Sequence, residues 1–369
     1  IQPPKSPLRR FVSQIAYFTY FVTLIQVLVF IVELVRMSQL TGSPLQTKPS
    51  FNPMIGPLSY VQINMGSRFT PCMHTYKGLT DDPSLLFPCP NSTTTDTEVC
   101  SLRELCGMNG FGTYTNASGD TVSYPNQWYR VFVPMFLHAG FLHICFNLFL
   151  QLTMGADIER TLGIVRYMVI YIALGMSGFL LGANFSTNGI SSSGASGALF
   201  GIIAVNLLMF VYAGKEGRNH YNTTHYKLFL ITMVCEIVIS LFLGLLPGLD
   251  NFSHVGGAVQ GLLLGVVLLK DPHFVYDSEY LASSRYDIRH PLKNKRTKFF
   301  GTTFSMRPNL EAKVKSRLIY WLIFRVVCFL LSLAYFTALA MNFHKNGGGG
   351  CSWCKYLNCI PVNGWCDIG

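Results

Sequence analysis

Four side chains in this sequence have the types and spacings that acyl transfer needs. Ser196 stands in the run SSSGASGALFG, residues 191–201, between Gly194 and Gly197. His254 opens HVGGAVQG, and His143 and Asn147 lie four apart in FLHICFNLFL. A serine hydroxyl is a weak nucleophile near neutral pH until a base takes its proton. Imidazole, with an unperturbed pKa of about 6.5, suits that task. The tetrahedral intermediate then needs hydrogen-bond donors for its oxyanion. Residues i and i+4 share one face of a helix, so His143 and Asn147 project together. The Ser196 backbone N–H, unpaired in a first helical turn, makes a third donor. Taken singly, Ser196 reads as packing and His254 as an interface residue. Their convergence is what would make a site.

Convergence depends on the elements that carry these residues. Half of the 369 residues are apolar and only 12% are charged, with a mean hydropathy of +0.34. Seven apolar runs approach the roughly 20 residues that cross a bilayer: 11–32, 133–153, 165–183, 194–213, 228–246, 254–269 and 318–341. An all-α polytopic membrane protein is expected. The first run exceeds a signal-peptide core of roughly 7–15 residues. No small-x-small cleavage site follows it, so it is expected to stay as a helix.

Charge sets the orientation. With a cytosolic N-terminus, segments 1–10, 154–166, 213–227 and 270–317 hold 19 of the 28 Lys and Arg residues. The positive-inside rule then places the C-terminus in the lumen. The cluster Lys293, Lys295, Arg296, Lys298 faces anionic lipid in this topology. The bilayer, and not nucleic acid, is the expected partner of the basic charge. Oligomeric state is not legible.

Eight of the eleven cysteines fall on the lumenal side as two groups of four: Cys72, Cys89, Cys100, Cys106, and Cys351, Cys354, Cys359, Cys366. Even groups in an oxidising compartment point to disulfides, with connectivity open. The Cys351–Cys354 spacing also fits half a zinc site, but thiolate zinc sites belong to reducing compartments, so neither metal nor cofactor is expected. Cys145, Cys235 and Cys328 lie in apolar runs and are expected to be buried. Asn91 and Asn116 are glycosylation candidates in the first loop. The sequons of Asn184 and Asn251 lie close to helix ends.

The organisation follows: 1–32 as cytosolic N-terminus and first span, and 33–132 as a disulfide-held lumenal loop. Residues 133–270 form a core of five spans, 271–317 a basic cytosolic linker, 318–341 a seventh span and 342–369 a cysteine-rich lumenal tail. The second, fourth and sixth spans then all run from lumen to cytosol. Ser196, two residues into its run, and His254, first of its own, share the lumenal half of the bilayer. Gly197/Gly201 and Gly257/Gly261 are small-xxx-small pairs that let two backbones approach closely. No acidic third member is expected, since Asp157 and Asp250 sit at helix ends. Glu236 and Arg325 are expected to pair or snorkel.

These residues resemble the rhomboid family of intramembrane serine proteases. The resemblance is carried by Trp128-Tyr-Arg130, His138-xxxx-His143-xxx-Asn147, Glu159-Arg160 and Gly163. It continues through Gly194-Ala-Ser196-Gly197-xxx-Gly201 and His254-xx-Gly257-xxx-Gly261, and spans residues 128–270. Tyr129 and Ser253 stand where Trp and Ala are frequent in the family. The resemblance implies a six-helix bundle plus a seventh C-terminal helix, as in secretory-pathway members, with a fungal-like tail. It implies Ser196 as nucleophile, His254 as base, and His143, Asn147 and the Ser196 amide as oxyanion hole. Trp128, Arg130, His138, Glu159, Arg160 and the glycines take structural roles. Single-span membrane proteins are the implied substrates and a Golgi-type membrane the implied location, with the plasma membrane or vacuole as others. The competing readings are a catalytically inactive relative that binds membrane clients, and a transporter lined by His and Asn.

Overall fold

A computed structural model describes residues 15–48, 51–77, 79–80, 82, 85–90, 99–115, 119, 121–186, 189–213, 250–269, 271–272, 275, 312–348, 351 and 353–357, with scattered positions between 227 and 241. Helix α1 (Tyr17–Thr41) ends at Gly42, whose left-handed φ of +74° closes it through an N–H···O bond of 2.8 Å to Ser38. The first loop follows, with α2 (Ser59–Asn64), β1 (Phe87–Pro88) paired to β2 (Val99–Cys100), α3 (Leu102–Cys106), and β3 (Gly112–Thr115) paired to β4 (Thr121–Tyr124). Disulfides Cys72–Cys106 and Cys89–Cys100 cross-link it. Ile63, Phe69, Leu102, Leu105 and Phe111 bury around the cystines as a small core of their own.

The expected second span is not one helix. Residues 128–131 and 133–136 form two 3₁₀ turns, residue 137 is extended, and α4 begins only at Phe141 (Phe141–Leu150). The reason lies in the first loop. Its carbonyls at Ile55 and Met54 accept the N–H groups of Phe141 and Leu142 at 3.0 and 3.3 Å, satisfying donors that a helix start leaves unpaired. Gly56 and Gly140 make this crossing possible, because a Cβ on either would overlap the other strand's backbone. His138 therefore precedes the helix that carries His143 and Asn147.

Below them a π-helical turn, Gln151–Gly155, leads into α5 (Ala156–Leu162). The wider turn aims Gln151 at α1. Its amide donates to Thr23 and Gln26 at 2.7 and 2.9 Å and accepts from Tyr171 at 2.7 Å. Then come α6 (Ile164–Phe185), α7 (Ser196–Ala213), α8 (Asn251–Leu268) and α9 (Ala312–Asn346). Among the described residues five helices are long and apolar enough to cross a membrane, and α7 is a shorter apolar one. At 1.5 Å per residue its 18 residues rise about 27 Å, close to the hydrocarbon thickness. The protein is a multi-pass helical membrane protein.

Six of the seven expected runs carry a described helix. The fifth, 228–246, lies mostly outside the described residues, as do Glu236, Asn91, Asn116, Cys359, Cys366 and the Lys293–Lys298 cluster. Helix α1 runs nine residues past the expected end and α9 extends past both expected ends. Arg325 pairs with Asp271, at 3.3 Å. Trp321 Nε1 donates to the same carboxylate at 3.1 Å, and Gln260 on α8 donates to Ser332 at 2.6 Å. Those contacts dock α9 on α8. Cys145 and Cys235 are exposed, against expectation, and only Cys328 is buried. Asn184 and Asn251 are buried.

Candidate active site

Helices α7 and α8 meet along glycine. A Cβ on Gly257 would overlap the carbonyl of Gly197, and one on Gly261 would overlap that of Gly201. Only backbones without side chains can come this close. Gly178 on α6 does the same against the Ser253 carbonyl, so α8 is wedged between α6 and α7.

That closeness brings the Ser196 hydroxyl to 2.9 Å from His254 Nε2. Ser196 is the first residue of α7, not its third as the sequence suggests, and His254 lies in the first turn of α8, not at its start. Phe200, one turn beyond Ser196, stacks face to face on the His254 ring at 4.1 Å with planes 7° apart. The imidazole is fixed by the helix that carries the serine. Sequence reasoning missed Phe200, although its i+4 spacing from Ser196 was the available signal.

Facing the pair is the α4 wall. His143 and Asn147 are both buried. The Ala139 N–H donates to His143 Nδ1 at 3.3 Å. That bond leaves Nε2 as the ring nitrogen that carries hydrogen in the neutral tautomer. Nε2 is buried and has no hydrogen-bond partner among the described residues. Asn147 Nδ2 donates to the His143 carbonyl at 2.9 Å. Gly194, at φ +109°, stands in front of both: its missing Cβ would sit 2.6 Å from His143 Nε2 and 3.6 Å from Asn147 Nδ2. The glycine keeps open a small space lined by two donors. The Ser196 amide stands at the first position of α7, two residues after Gly194.

The remaining expected residues brace this arrangement. Arg130 is fully buried and donates to Gln127 Oε1, Ile63 O and Ser67 O at 2.7, 2.8 and 2.6 Å, and to Cys106 O. Burial lowers its pKa to about 10, so it remains cationic at neutral pH. Trp128 faces outward, in keeping with an interfacial aromatic. The His138 N–H donates to Glu33 Oε2 at 3.1 Å, tying α1 to the start of this wall. Glu159 accepts from Phe18 N, Thr19 N and Thr19 Oγ1 at 2.7–2.9 Å and so caps α1. Arg160 pairs with Asp157 at 2.6 Å at the protein surface.

A hydroxyl bonded to an imidazole, beside a space lined by two side-chain donors and held by packed membrane helices, is an arrangement of the serine-hydrolase kind in a polytopic membrane protein. Comparison with known proteins gives that class a family. Residues 125–271 match the rhomboid domain. The chain is 45% identical to Rhomboid-type serine protease 2 of Emericella nidulans, over 99% of this chain and 75% of that protein. It is 32% identical to RHOMBOID-like protein 2 of Arabidopsis thaliana, over 66% of this chain and 67% of the relative. It is also 26% identical to Inactive rhomboid protein 1 of Danio rerio, over 64% of this chain and 22% of that longer protein. The chain belongs to the rhomboid family.

Proposed function

We propose that this protein is an active intramembrane serine endopeptidase that cuts single-span membrane proteins near the lumenal end of their helix. One observation carries the reading: the 2.9 Å bond between Ser196 Oγ and His254 Nε2. His254 Nε2 takes the serine proton as Oγ attacks the scissile carbonyl carbon. The oxyanion settles against His143 Nε2, the Asn147 amide and the Ser196 N–H. For this the Asn147 amide must turn from the His143 carbonyl it holds at rest. Collapse expels the amine, which takes the proton from His254, and leaves an acyl ester on Ser196. Water, deprotonated by the same imidazole, then releases the carboxylic acid and restores the hydroxyl.

No acid orients His254 as in a triad; its Nδ1 has no hydrogen-bond partner among the described residues. Phe200 supplies the orientation instead. The charge distribution supports a cytosolic N-terminus and lumenal C-terminus. The cystines in the first loop and at Cys351–Cys354 support an oxidising, secretory-pathway lumen such as the Golgi.

The inactive-relative reading, to which the match with the fish protein gives substance, predicts a missing or obstructed reacting group. Ser196 and His254 are both present and lie 2.9 Å apart, which supports the active reading. The test is cleavage of a single-span reporter by the full chain in liposomes, with fluorophosphonate labelling. Ser196→Ala should abolish both while leaving the melting temperature in place. Cleavage undiminished in that variant would sink the proposal.

A further inference from the structure

We propose that Arg68, in the first loop, is the positioning residue for the Ser196–His254 pair, acting through Ser192 on one side and Asp250 on the other. The inference rests on the protease reading above. Arg68 is fully buried although it lies outside every expected span. Its backbone forms an isolated antiparallel bridge with Ser192, donating to and accepting from it at 2.8 and 2.9 Å. Ser192 lies four residues before Ser196. Two residues further on, the Gly194 N–H donates to Pro134 O at 2.8 Å, so the approach to α7 is held on both sides.

The Arg68 side chain reaches the other helix. Nη2 meets Asp250 Oδ2 at 3.1 Å in an ion pair with both side chains buried, and Nη1 donates to the Gly182 carbonyl at 3.3 Å. Asp250 caps α8 by accepting from the Phe252 N–H at 3.2 Å. It also accepts from the Ser186 and Ser253 hydroxyls at 2.9 and 2.6 Å. Burial alone would raise its pKa; Arg68 and the two hydroxyls outweigh that and hold it below the ordinary carboxylate value. The carboxylate lies four residues before His254 and within its electrostatic reach. Gly182 on α6 admits the pair, since a methyl there would overlap Asp250 Oδ2.

One residue thus holds the approach to the helix of the nucleophile with its main chain and the cap of the helix of the base with its side chain. The charged or titratable groups facing His254 among the described residues are Asp250 on its own cap, Arg68 behind Asp250, and His143 from α4. This contact is invisible to sequence reasoning, because Arg68 and Asp250 are 182 residues apart and neither belongs to a motif with spacing of its own.

The test uses the full chain in liposomes with a single-span reporter, measuring kcat, KM, melting temperature and the pH dependence of kcat. Arg68→Gln and Asp250→Asn should each lower kcat roughly 10–100-fold, as expected for misplaced reacting groups. KM should stay within about twofold, and Arg68→Lys should recover part of the loss. The acid limb should move in opposite directions. Asp250→Asn removes a negative charge that favours imidazolium and shifts the limb to lower pH; Arg68→Gln leaves that charge uncompensated and shifts it to higher pH. A contact that only holds the fold together would lower the melting temperature without these opposed shifts, and that result would overturn the inference. So would wild-type kcat and pH profile in both variants. If Arg68→Gln does not fold, Asp250→Asn and Gly182→Ala read the same contact from its other sides. A folded wild type that neither cleaves nor labels refutes the protease reading itself; an active wild type with equally active variants refutes only the role of Arg68.

Discussion

Replacing Gly194 by Ala should disable the site by filling the space in front of its donors. The added methyl would lie 2.6 Å from His143 Nε2 and Cε1. Ordinary contact begins near 3.4 Å, so the ring must retreat by roughly 0.8 Å. A donor moved that far no longer reaches an oxyanion bound beside Ser196. Losing one such donor costs about 2.7–4 kcal/mol of transition-state stabilisation, or roughly 10²–10³ in kcat. The backbone adds a second penalty, because φ is +109° at this position and a side chain there costs about 1–3 kcal/mol of stability. The two effects separate experimentally: strain lowers the melting temperature, whereas the blocked donor lowers kcat per folded molecule. Turnover of a single-span reporter in liposomes, normalised to folded protein, is the assay. The double variant Gly194→Ala/His143→Ala should be little worse than either single variant, because both remove the same donor. Turnover of Gly194→Ala within threefold of wild type, or full additivity in the double variant, would refute the assignment of that space to the oxyanion.

Two further outcomes follow from contacts outside the reacting atoms. Gly257→Ala should abolish both phosphonate labelling and cleavage, because its methyl would overlap the Gly197 carbonyl and force apart the helices that carry the 2.9 Å Ser–His bond; Val259→Ala, on the exposed side of α8, should leave both intact. In the first loop, bonds from the Ser101 backbone N–H and hydroxyl hold the Glu104 carboxyl below its ordinary value. Its contribution to the α3 cap is therefore complete above the ordinary carboxylate range and lost as pH falls through the lowered folded-state value. Hydrogen exchange across 101–107 should report that loss, and Glu104→Gln should remove the pH dependence.

Much of the site was legible because its logic is one-dimensional. Membrane spans declare themselves by hydropathy, alternation of sides follows from loop charge, and glycines at four-residue spacing say which faces can touch. From those three signals Ser196 and His254 fall at one depth on helices that can meet, and the structure puts them 2.9 Å apart. What was not legible is where each helix starts. The sequence ran the second span from residue 133, yet Met54 and Ile55 pair with the N–H groups of Leu142 and Phe141 and delay α4 to Phe141. A helix start set by carbonyls about 90 residues upstream leaves no local trace. The same holds for Arg68–Asp250 and Arg325–Asp271, buried ion pairs whose partners are distant in the chain. Composition places such charges in loops or spans and names no partner for them, as for Arg325.

The division of labour between glycine and the first loop explains why a site among membrane helices is built with so large a loop. Glycine fixes how far apart α7 and α8 lie, but packing between two smooth backbones resists sliding along the seam only weakly. Register along the seam needs directional bonds, and in a bilayer those are most effective where water cannot compete. Arg68 supplies them from the loop. The loop is in turn held by the Arg130 guanidinium, which gathers the carbonyls of Ile63, Ser67 and Cys106, and by the Cys72–Cys106 disulfide that fixes one of those carbonyls in place. The contacts run without a break from cystine to Arg130, from Ser67 to Arg68, and from Arg68 to the approaches of both reacting helices. A flexible loop would bear the same residues at a greater entropic cost for ordering them. Cross-linking and burial meet that cost during folding, so Ser196 and His254 are already held in register in the resting protein.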